Sequence, residues 1–274
     1  MKEVYSLNLS TLEIRPLQSI EELEIVKKLE ERIWSIDDAV PVNQTAAAVK
    51  NGGLVLGAFI HMELVGFQYS FPGFNGKNIY LVSHSLGIHP DYRKYGIGEK
   101  LKWAQKKMAL ELGYELITWT YDPLETVNGY LNLHKLGAVC STYIENAYGE
   151  MADNLNAGLP TDRFLVEWEI KRPCNKKTEL IDIDQPLTIS TSLQDQFLVP
   201  GKIDLGQNQG TVVIPVPGNF QEMKNCDFPL ALKWRNVTRD VFSHYLRLGW
   251  VVTDLIKDSK QDHQYLYLLE KREK

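Results

Sequence analysis

Apolar residues recur along the chain with two alternating periods, which indicates an α/β fold. A capping-box pattern at Ser19 and Glu22 opens a helical period, and a shorter helix is expected from Gln44 to Lys50. Strand patterns of the first half are expected at Leu54 to His61, Leu64 to Ser70, Ile79 to Ile88, Leu116 to Tyr121, Ala138 to Glu145 and Phe164 to Ile170. Strands that alternate with helices predict a sheet with helices packed against it.

The helix that begins near Gly96 has an apolar face and many lysines. Its apolar residues have helical spacing: Ile97, Leu101, Ala104, Met108 and Leu112. The lysines are expected to form a solvated face: Lys100, Lys102, Lys106 and Lys107. Gly113 is expected to end this helix, and a later helix from about Asn128 to Leu136 is expected to end at Gly137.

The second half continues the pattern after a polar segment at about residues 172–186, which we interpret as a linker. The sequence therefore predicts two domains, at residues 1–172 and 173–274. A helix ending in Leu-Gly and followed by a strand occurs in both, at His134 to Val139 and at Leu246 to Val251. Two interpretations stay open: a chance similarity, or a degenerate second copy of one half-fold.

Charge and cysteine content exclude several classes of function. The chain has 274 residues and a net charge of -5, without a basic run, which argues against nucleic-acid binding. Cys140, Cys174 and Cys226 form no CxxC pair, which argues against disulfides and a zinc site, and no metal site is expected. Because the N-terminus is polar and no apolar stretch could cross a membrane, a soluble cytoplasmic protein is expected.

The segment with the clearest chemistry is Leu86-Gly-Ile-His-Pro-Asp-Tyr-Arg-Lys-Tyr-Gly-Ile-Gly98, in which a strand leads into Arg-x-x-Gly-x-Gly and then a helix. The first amides of a helix lack intrahelical partners and lie at the positive end of its dipole. Glycines let that backbone approach a phosphate closely, and Arg93 can add a charge-assisted bond. The pattern is neither a Walker loop nor a dinucleotide fingerprint, since Leu101 occupies the third glycine position.

This motif and the order of elements around it resemble the GNAT superfamily of acyl-CoA N-acyltransferases, over about residues 12–170. The resemblance implies a mixed, mostly antiparallel sheet with flanking helices, to which a smaller α/β C-terminal segment is added. It also implies acetyl-CoA or coenzyme A as co-substrate. The implied coenzyme-binding residues are Leu86, Gly87 and Ile88 for the pantetheine arm, and Arg93, Lys94, Tyr95, Gly96, Ile97, Gly98 and Glu99 for the pyrophosphate. A β-bulge is expected at Gly87.

The resemblance further implies direct attack of a neutral amine on the thioester, which needs a base. His84 is the candidate base because it lies in the strand register where one branch of the family places a catalytic histidine. A histidine pKa near 6.5 suits that role. A hydrogen-bonded histidine without catalytic function is the alternative.

The proton donor is less well defined. The family's usual tyrosine, four residues before the glycine that ends the helix, corresponds to Leu133 here. Tyr130, our catalytic candidate, and His134 are nearby substitutes, and in the second half the same count reaches Tyr245. Asn128 is either an N-cap or a coenzyme contact. Arg163, beside Asp162, either binds an acceptor carboxylate or is an exposed structural residue, of which the second is favoured.

The resemblance implies transfer of an acetyl or other acyl group from acyl-CoA to a small-molecule amine, such as an amino acid. The alternatives are a succinyl or other acyl donor and a non-catalytic coenzyme-binding protein. The C-terminal segment is expected to cover the acceptor site, to extend the sheet or to form a homodimer contact.

Overall fold

A computed structural model describes residues 11–34, 36, 39–151, 157–172, 185–208 and 210–271. The chain folds into two compact units, of which the first comprises residues 1–118 and 169–171 and the second residues 119–168 and 172–274. The division into domains at residues 1–172 and 173–274, expected from sequence, stays a prediction. The polar segment proposed as a linker lies largely outside the described residues, as does Cys174.

The first unit is built on an antiparallel sheet in which β1, β2, β3 and β4 follow one another as neighbours. The beginning of β5 pairs with β4 in the parallel sense. The strands are β1 (Glu13–Pro16), β2 (Leu54–Ile60), β3 (Glu63–Phe74), β4 (Ile79–Ile88) and β5 (Leu116–Tyr121). The helices are α1 (Ile20–Ile33), α2 (Val42–Lys50) and α3 (Ile97–Glu111).

Helices cover the two faces of this sheet, and strand alternation decides which residues meet them. On one face, Val55, Phe67 and Tyr69 join the core formed with α1 and α2. On the other, residues such as Leu56 and Val65 pack against α3. The capping box expected at the start of α1 is present and fixes where that helix begins.

The second unit contains a sheet with the order β7-β6-β11-β12-β10, in which neighbouring strands are antiparallel. A separate hairpin joins β8 and β9. The helices are α4 (Thr126–Gly129), which continues as a π-helical segment (Tyr130–Lys135), α5 (Phe220–Cys226) and α6 (Phe228–Arg247). The strands are β6 (Val139–Ile144), β7 (Arg163–Glu169), β8 (Ile189–Gln194), β9 (Phe197–Ile203), β10 (Val212–Pro217), β11 (Trp250–Lys257) and β12 (Gln264–Lys271).

The two Leu-Gly segments of the second unit have corresponding local structures. Gly137 and Gly249 both end a helix with a positive φ, of 70° and 83°. The strand that follows each glycine has a register shift at the corresponding place, between Cys140 and Thr142 in β6 and between Val252 and Asp254 in β11. Cys140 also pairs directly with Val252. A degenerate second copy of the half-fold is expected to have these features.

The predicted mixed, mostly antiparallel sheet with flanking helices is confirmed, with three local corrections. Lys102, expected in a solvated face, is buried, whereas Leu112, expected in the apolar face, is 52% exposed. Strand β3 runs on through Pro72 to Phe74, beyond the end expected at Ser70. Sequence patterns also missed the elements β1, β8, β9 and α5.

Candidate functional site

The loop between β4 and α3 presents main-chain amides at the start of a long helix. A single 3-10 turn, Pro90–Tyr92, follows β4, and Lys94 and Gly96 then take positive φ values of 71° and 73°. Gly96 is the N-cap of α3 and provides no side-chain cap within the described structure. Lys100 makes the first intrahelical bond, back to the Gly96 carbonyl. The first-turn amides of Ile97 and Gly98 lie at the positive end of α3 and can therefore meet an anion.

The surface of this loop is open and carries basic side chains. Arg93, Lys94 and Tyr95 are exposed, and the Arg93 Nε donates to the Ile88 carbonyl at 3.3 Å. A Cβ atom added at Gly96 would have no heavy atom within 4 Å, whereas one at Gly98 would lie 3.5 Å from Leu86 Cδ2. The loop is thus shaped so that a ligand can approach its backbone closely.

Strand β4 extends beyond its ladder with β5. In the described part of the first unit, the pairs between these strands are Leu81 with Ile117 and Val82 with Thr118. On its other edge, β4 stays paired with β3 as far as Ile88. The predicted pantetheine strand, Leu86 to Ile88, therefore lies where β4 has left the β5 ladder and leads into the loop. Its main-chain groups on that edge suit an extended amide-containing chain.

The β-bulge expected at Gly87 lies instead at His84. Tyr69 pairs with Ser85 and Ser70 pairs with Ser83, so that His84 is the additional residue of β4. Gly87 pairs in register with Phe67, and a Cβ there would lie 2.5 Å from Phe67 Cε1. Glycine is therefore required at position 87 for packing rather than for a bulge.

His84 lies at the bulge, on the face that α1 and α2 cover. The His84 ring lies 5.7 Å from both the Tyr69 ring, edge-on, and the Phe71 ring. The residue is nevertheless exposed. Partial burial lowers the pKa of His84 below its usual value of 6.5, so the ring is neutral at physiological pH. A neutral, accessible imidazole can accept a proton.

Glu30 of α1 lies beside the same bulge. Its side chain is 2% exposed, and its carboxylate accepts a bond from the Ser85 hydroxyl at 3.2 Å and another from the Val40 amide at 3.0 Å. Burial raises the pKa of Glu30, and these two hydrogen bonds oppose that rise. Sequence periodicity did not reveal this residue because a glutamate at a core position of a helix resembles a surface residue.

A second polar cluster lies on the opposite face of β3 and β4, against α3. Lys102 Nζ is 3.1 Å from the Ser83 hydroxyl, and Gln105 donates to the Ser70 hydroxyl at 2.8 Å. The Gln68 amide donates to the Ser70 hydroxyl at 2.6 Å. Burial strongly lowers the pKa of Lys102. This cluster faces away from His84, because Ser83 and Ser85 lie on different sides of the bulge.

The remaining candidates belong to the second unit. Tyr130 stacks on His134 with ring centroids 4.6 Å apart, and His134 Nδ1 is 3.2 Å from Asp254 Oδ1. Leu133 is fully buried, so the family's tyrosine position is part of the core here. Asn128 is exposed and lies inside the helix, whose N-cap is Glu125, so the N-cap interpretation of Asn128 is wrong. Its coenzyme contact stays a prediction.

Asp162 and Arg163 are part of a buried ionic cluster. Arg239 binds Asp162 through two hydrogen bonds of 2.7 and 2.8 Å, and Arg235 binds Asp122 in the same bidentate way. Arg163, at 8% exposure, lies 3.8 Å from the Asp122 carboxylate. The expectation of an exposed structural arginine at position 163 was therefore wrong.

The part of the chain that the structure describes contains no group of three or more His, Cys, Asp or Glu residues arranged to hold a metal ion. It also contains no helix long and apolar enough to cross a membrane. Cys140 and Cys226 are free thiols.

No protein-family model and no curated protein matches this chain. It is similar to solved acetyltransferase structures. A GNAT-family acetyltransferase from Streptococcus pneumoniae shares 17% identity over 57% of this chain and 97% of that chain, with a TM-score of 0.45. A putative acetyltransferase from Salmonella typhimurium, solved with its cofactor acetyl-CoA, shares 15% identity over 61% of this chain and 99% of that chain, with a TM-score of 0.49.

The ribosomal-protein-S18-alanine N-acetyltransferase from Escherichia coli is similar at the same level. It shares 14% identity over 61% of this chain and 99% of that chain, with a TM-score of 0.48. Such likeness does not extend to substrate or activity.

Proposed function

We propose that this protein transfers an acyl group, with acetyl as the first candidate, from acyl-coenzyme A to the amine of a small molecule. The observation that carries the proposal is the continuous path from the part of β4 beyond its β5 ladder to the first-turn amides of α3. An extended pantetheine arm would bond to the main chain of Leu86 to Ile88. The pyrophosphate would then bind the amides that begin at Ile97, with Arg93 and Lys94 nearby.

The chemistry proposed is direct attack of the amine nitrogen on the thioester carbonyl carbon. His84 would take the proton that the amine loses, because it is exposed and neutral beside the strand along which the pantetheine would lie. The new amide bond forms as the carbon–sulfur bond breaks, and the thiolate leaves with the sulfur electron pair. Tyr130 remains the sequence-based candidate for the group that protonates it.

Gly98, inside α3, and Gly113, just beyond its C-terminal end, allow a sharp test of the coenzyme loop. Gly98→Ala should raise the melting temperature of the free protein, because alanine is favoured over glycine in a helix by up to about 1 kcal/mol. The same methyl group should hinder a phosphate at the first turn, so that the thermal shift produced by acetyl-CoA falls by the equivalent of a tenfold weaker affinity or more. Differential scanning fluorimetry with and without acetyl-CoA measures both effects.

Gly113→Ala is the matched control at the other end of the same helix. Gly113 has φ +89° and space for a Cβ, so alanine there should lower stability by about 1–2 kcal/mol through backbone strain alone. Its acetyl-CoA shift should equal that of the wild type. If Gly98→Ala kept the full shift, or if the wild type showed none, the loop would not be the coenzyme site.

Activity is measured separately, as free thiol released from acetyl-, propionyl- and succinyl-CoA with a panel of amines. Release that depends on both substrates is expected, and the best donor identifies the acyl group. A thermal shift without release under any condition would instead support the non-catalytic coenzyme-binding alternative, which the buried Leu133 at the family's acid position favours. A cytoplasmic location and the absence of nucleic-acid partners remain predictions.

A further inference from the structure

Glu30 occupies a position that the pattern of α1 assigns to an apolar residue. The helix buries Leu23, Val26 and Leu29 on the face that meets the sheet, and Glu30 is buried with them. Its carboxylate has no basic partner among the described residues, since its bonds come from a hydroxyl and a backbone amide. A leucine would fill such a site at a lower solvation cost. A charged residue at a position that the helix pattern assigns to an apolar side chain is found mainly where function requires it.

The two bonds of Glu30 connect segments that are far apart in the chain. One carboxylate oxygen accepts from Ser85, the neighbour of His84 in the bulge. The other accepts from Val40, in the connection that leads from α1 to α2. The carboxylate therefore fixes the bulge of β4 and the segment that precedes α2 in one relative arrangement.

Tyr69 completes a ring of contacts around the bulge. It pairs with Ser85 across the β3–β4 ladder, and its ring lies edge-on to that of His84. Burial raises the pKa of Tyr69, and the negative charge of Glu30 raises it further, so the hydroxyl remains protonated. Glu30, Ser85, His84 and Tyr69 thus constrain one another through hydrogen bonding, strand pairing, ring packing and electrostatics.

We propose that Glu30 is a positioning residue for the base His84, acting through Ser85 and the bulge. This inference rests on the proposed function. In this proposal Glu30 contacts neither substrate. Loss of the Glu30–Ser85 interaction should lower the rate of the acyl-transfer step and leave coenzyme binding unchanged, because the bulge precedes the strand and loop assigned to the coenzyme.

Two conservative variants test the proposal. Ser85→Ala removes the bond from the bulge and retains the charge. Glu30→Gln removes the charge and retains the shape, with its amide oxygen able to accept from Val40 and its amide nitrogen able to donate to Ser85. Glu31→Gln is the matched control, since Glu31 is the next residue of α1 and pairs with Lys27 at 3.6 Å on the helix surface.

We expect Ser85→Ala to lower kcat by about tenfold to a hundredfold, the range that misplacement of a catalytic group produces. KM for acetyl-CoA and the acetyl-CoA thermal shift should be unchanged. Glu30→Gln should have a smaller effect, because it preserves both hydrogen bonds. Glu31→Gln should match the wild type in all three measurements.

A double-mutant cycle with His84→Gln distinguishes positioning from general damage to the fold. If Ser85 and Glu30 act through His84, the Ser85→Ala/His84→Gln protein should be no slower than the His84→Gln protein. Independent, multiplicative losses would overturn the proposal. So would a Glu30→Gln loss larger than that of Ser85→Ala, since the charge rather than the bond would then matter. Failure of the proposed function would appear differently, as a wild type without a coenzyme shift or thiol release.

Discussion

At the residue scale, an irregularity in strand pairing brings His84 and Ser85 to the same face of β4. Ser83 faces α3, so regular alternation directs His84 toward the α1 and α2 face. The additional residue in β4 turns Ser85 to that face as well, where its hydroxyl meets Glu30. His84 contacts Tyr69 and Phe71 there, and partial burial lowers its pKa.

His84→Gln should reduce kcat by about 10²–10⁴-fold, the usual contribution of a general base. In the wild type, kcat/KM should rise with pH as His84 loses its proton, and because its pKa is lowered this limb should lie below pH 6.5. The variant should lose that limb. The pH dependence of thiol release between pH 5 and 8 measures it, and an unchanged profile would remove His84 as the base.

At the scale of elements, α3 combines an anion-binding start with a polar patch on its buried side. Lys102 lies one helical turn beyond the loop amides and is 3% exposed. Its burial disfavours the charged form, so the lysine pKa in the folded protein lies below the usual value of 10.5. The unfolded chain therefore holds the proton over a pH range in which the folded chain has lost it, and stability rises with pH across that range.

Lys102→Met should stabilise the protein by about 1–3 kcal/mol near neutral pH, the scale of an incompletely compensated buried polar group. It should also remove the rise in stability between neutral pH and pH 10. Ser83 keeps Gln68 and Gln105 as neighbours in the variant. Urea denaturation at several pH values measures both effects. Lys107→Met on the exposed side is the control, and equal behaviour of the two variants would contradict the explanation.

The sequence predicted most elements, since β4 and β5 have the bounds that were expected and the capping box begins α1 as expected. It did not predict the bulge at His84, because strand pairing depends on β3 as well as on β4. It misplaced Lys102 and overlooked Glu30 for a related reason. Both have charged side chains at core-facing helical positions, and only tertiary hydrogen-bond partners make such burial tolerable.

At the scale of the whole molecule, the second unit contains two segments with similar local structure, of which only the first follows a coenzyme-binding motif in the sequence. The helix, glycine, strand and bulge recur, but no Arg-x-x-Gly-x-Gly precedes the second copy. Tyr245, the second copy's counterpart of the family's acid, is fully buried, and its hydroxyl is 3.5 Å from the Asp204 carbonyl. If the second segment is a degenerate copy, it has kept the packing of the half-fold without the coenzyme motif.

Tyr245→Phe should leave thiol release and the acetyl-CoA shift unchanged, because the tyrosine side chain is buried in the second unit and its hydroxyl lies against the Asp204 carbonyl. Stability should fall by about 1 kcal/mol or less, as expected for a long hydrogen bond. Steady-state kinetics together with a melting curve measure the two quantities. A tenfold loss of rate with an unchanged melting temperature would show instead that the second copy supplies a catalytic group.

The pairing of Cys140 with Val252 places equivalent positions of the two segments opposite each other, as in a symmetric dimer. Here both partners are on one polypeptide, so their association costs no loss of translational freedom and does not depend on concentration. An unprotected strand edge invites pairing with foreign chains. A fragment that ended after β7 would expose the outer edge of β6, and we expect it to self-associate through that edge. In the full chain, β11 of the C-terminal segment covers that edge by pairing with β6.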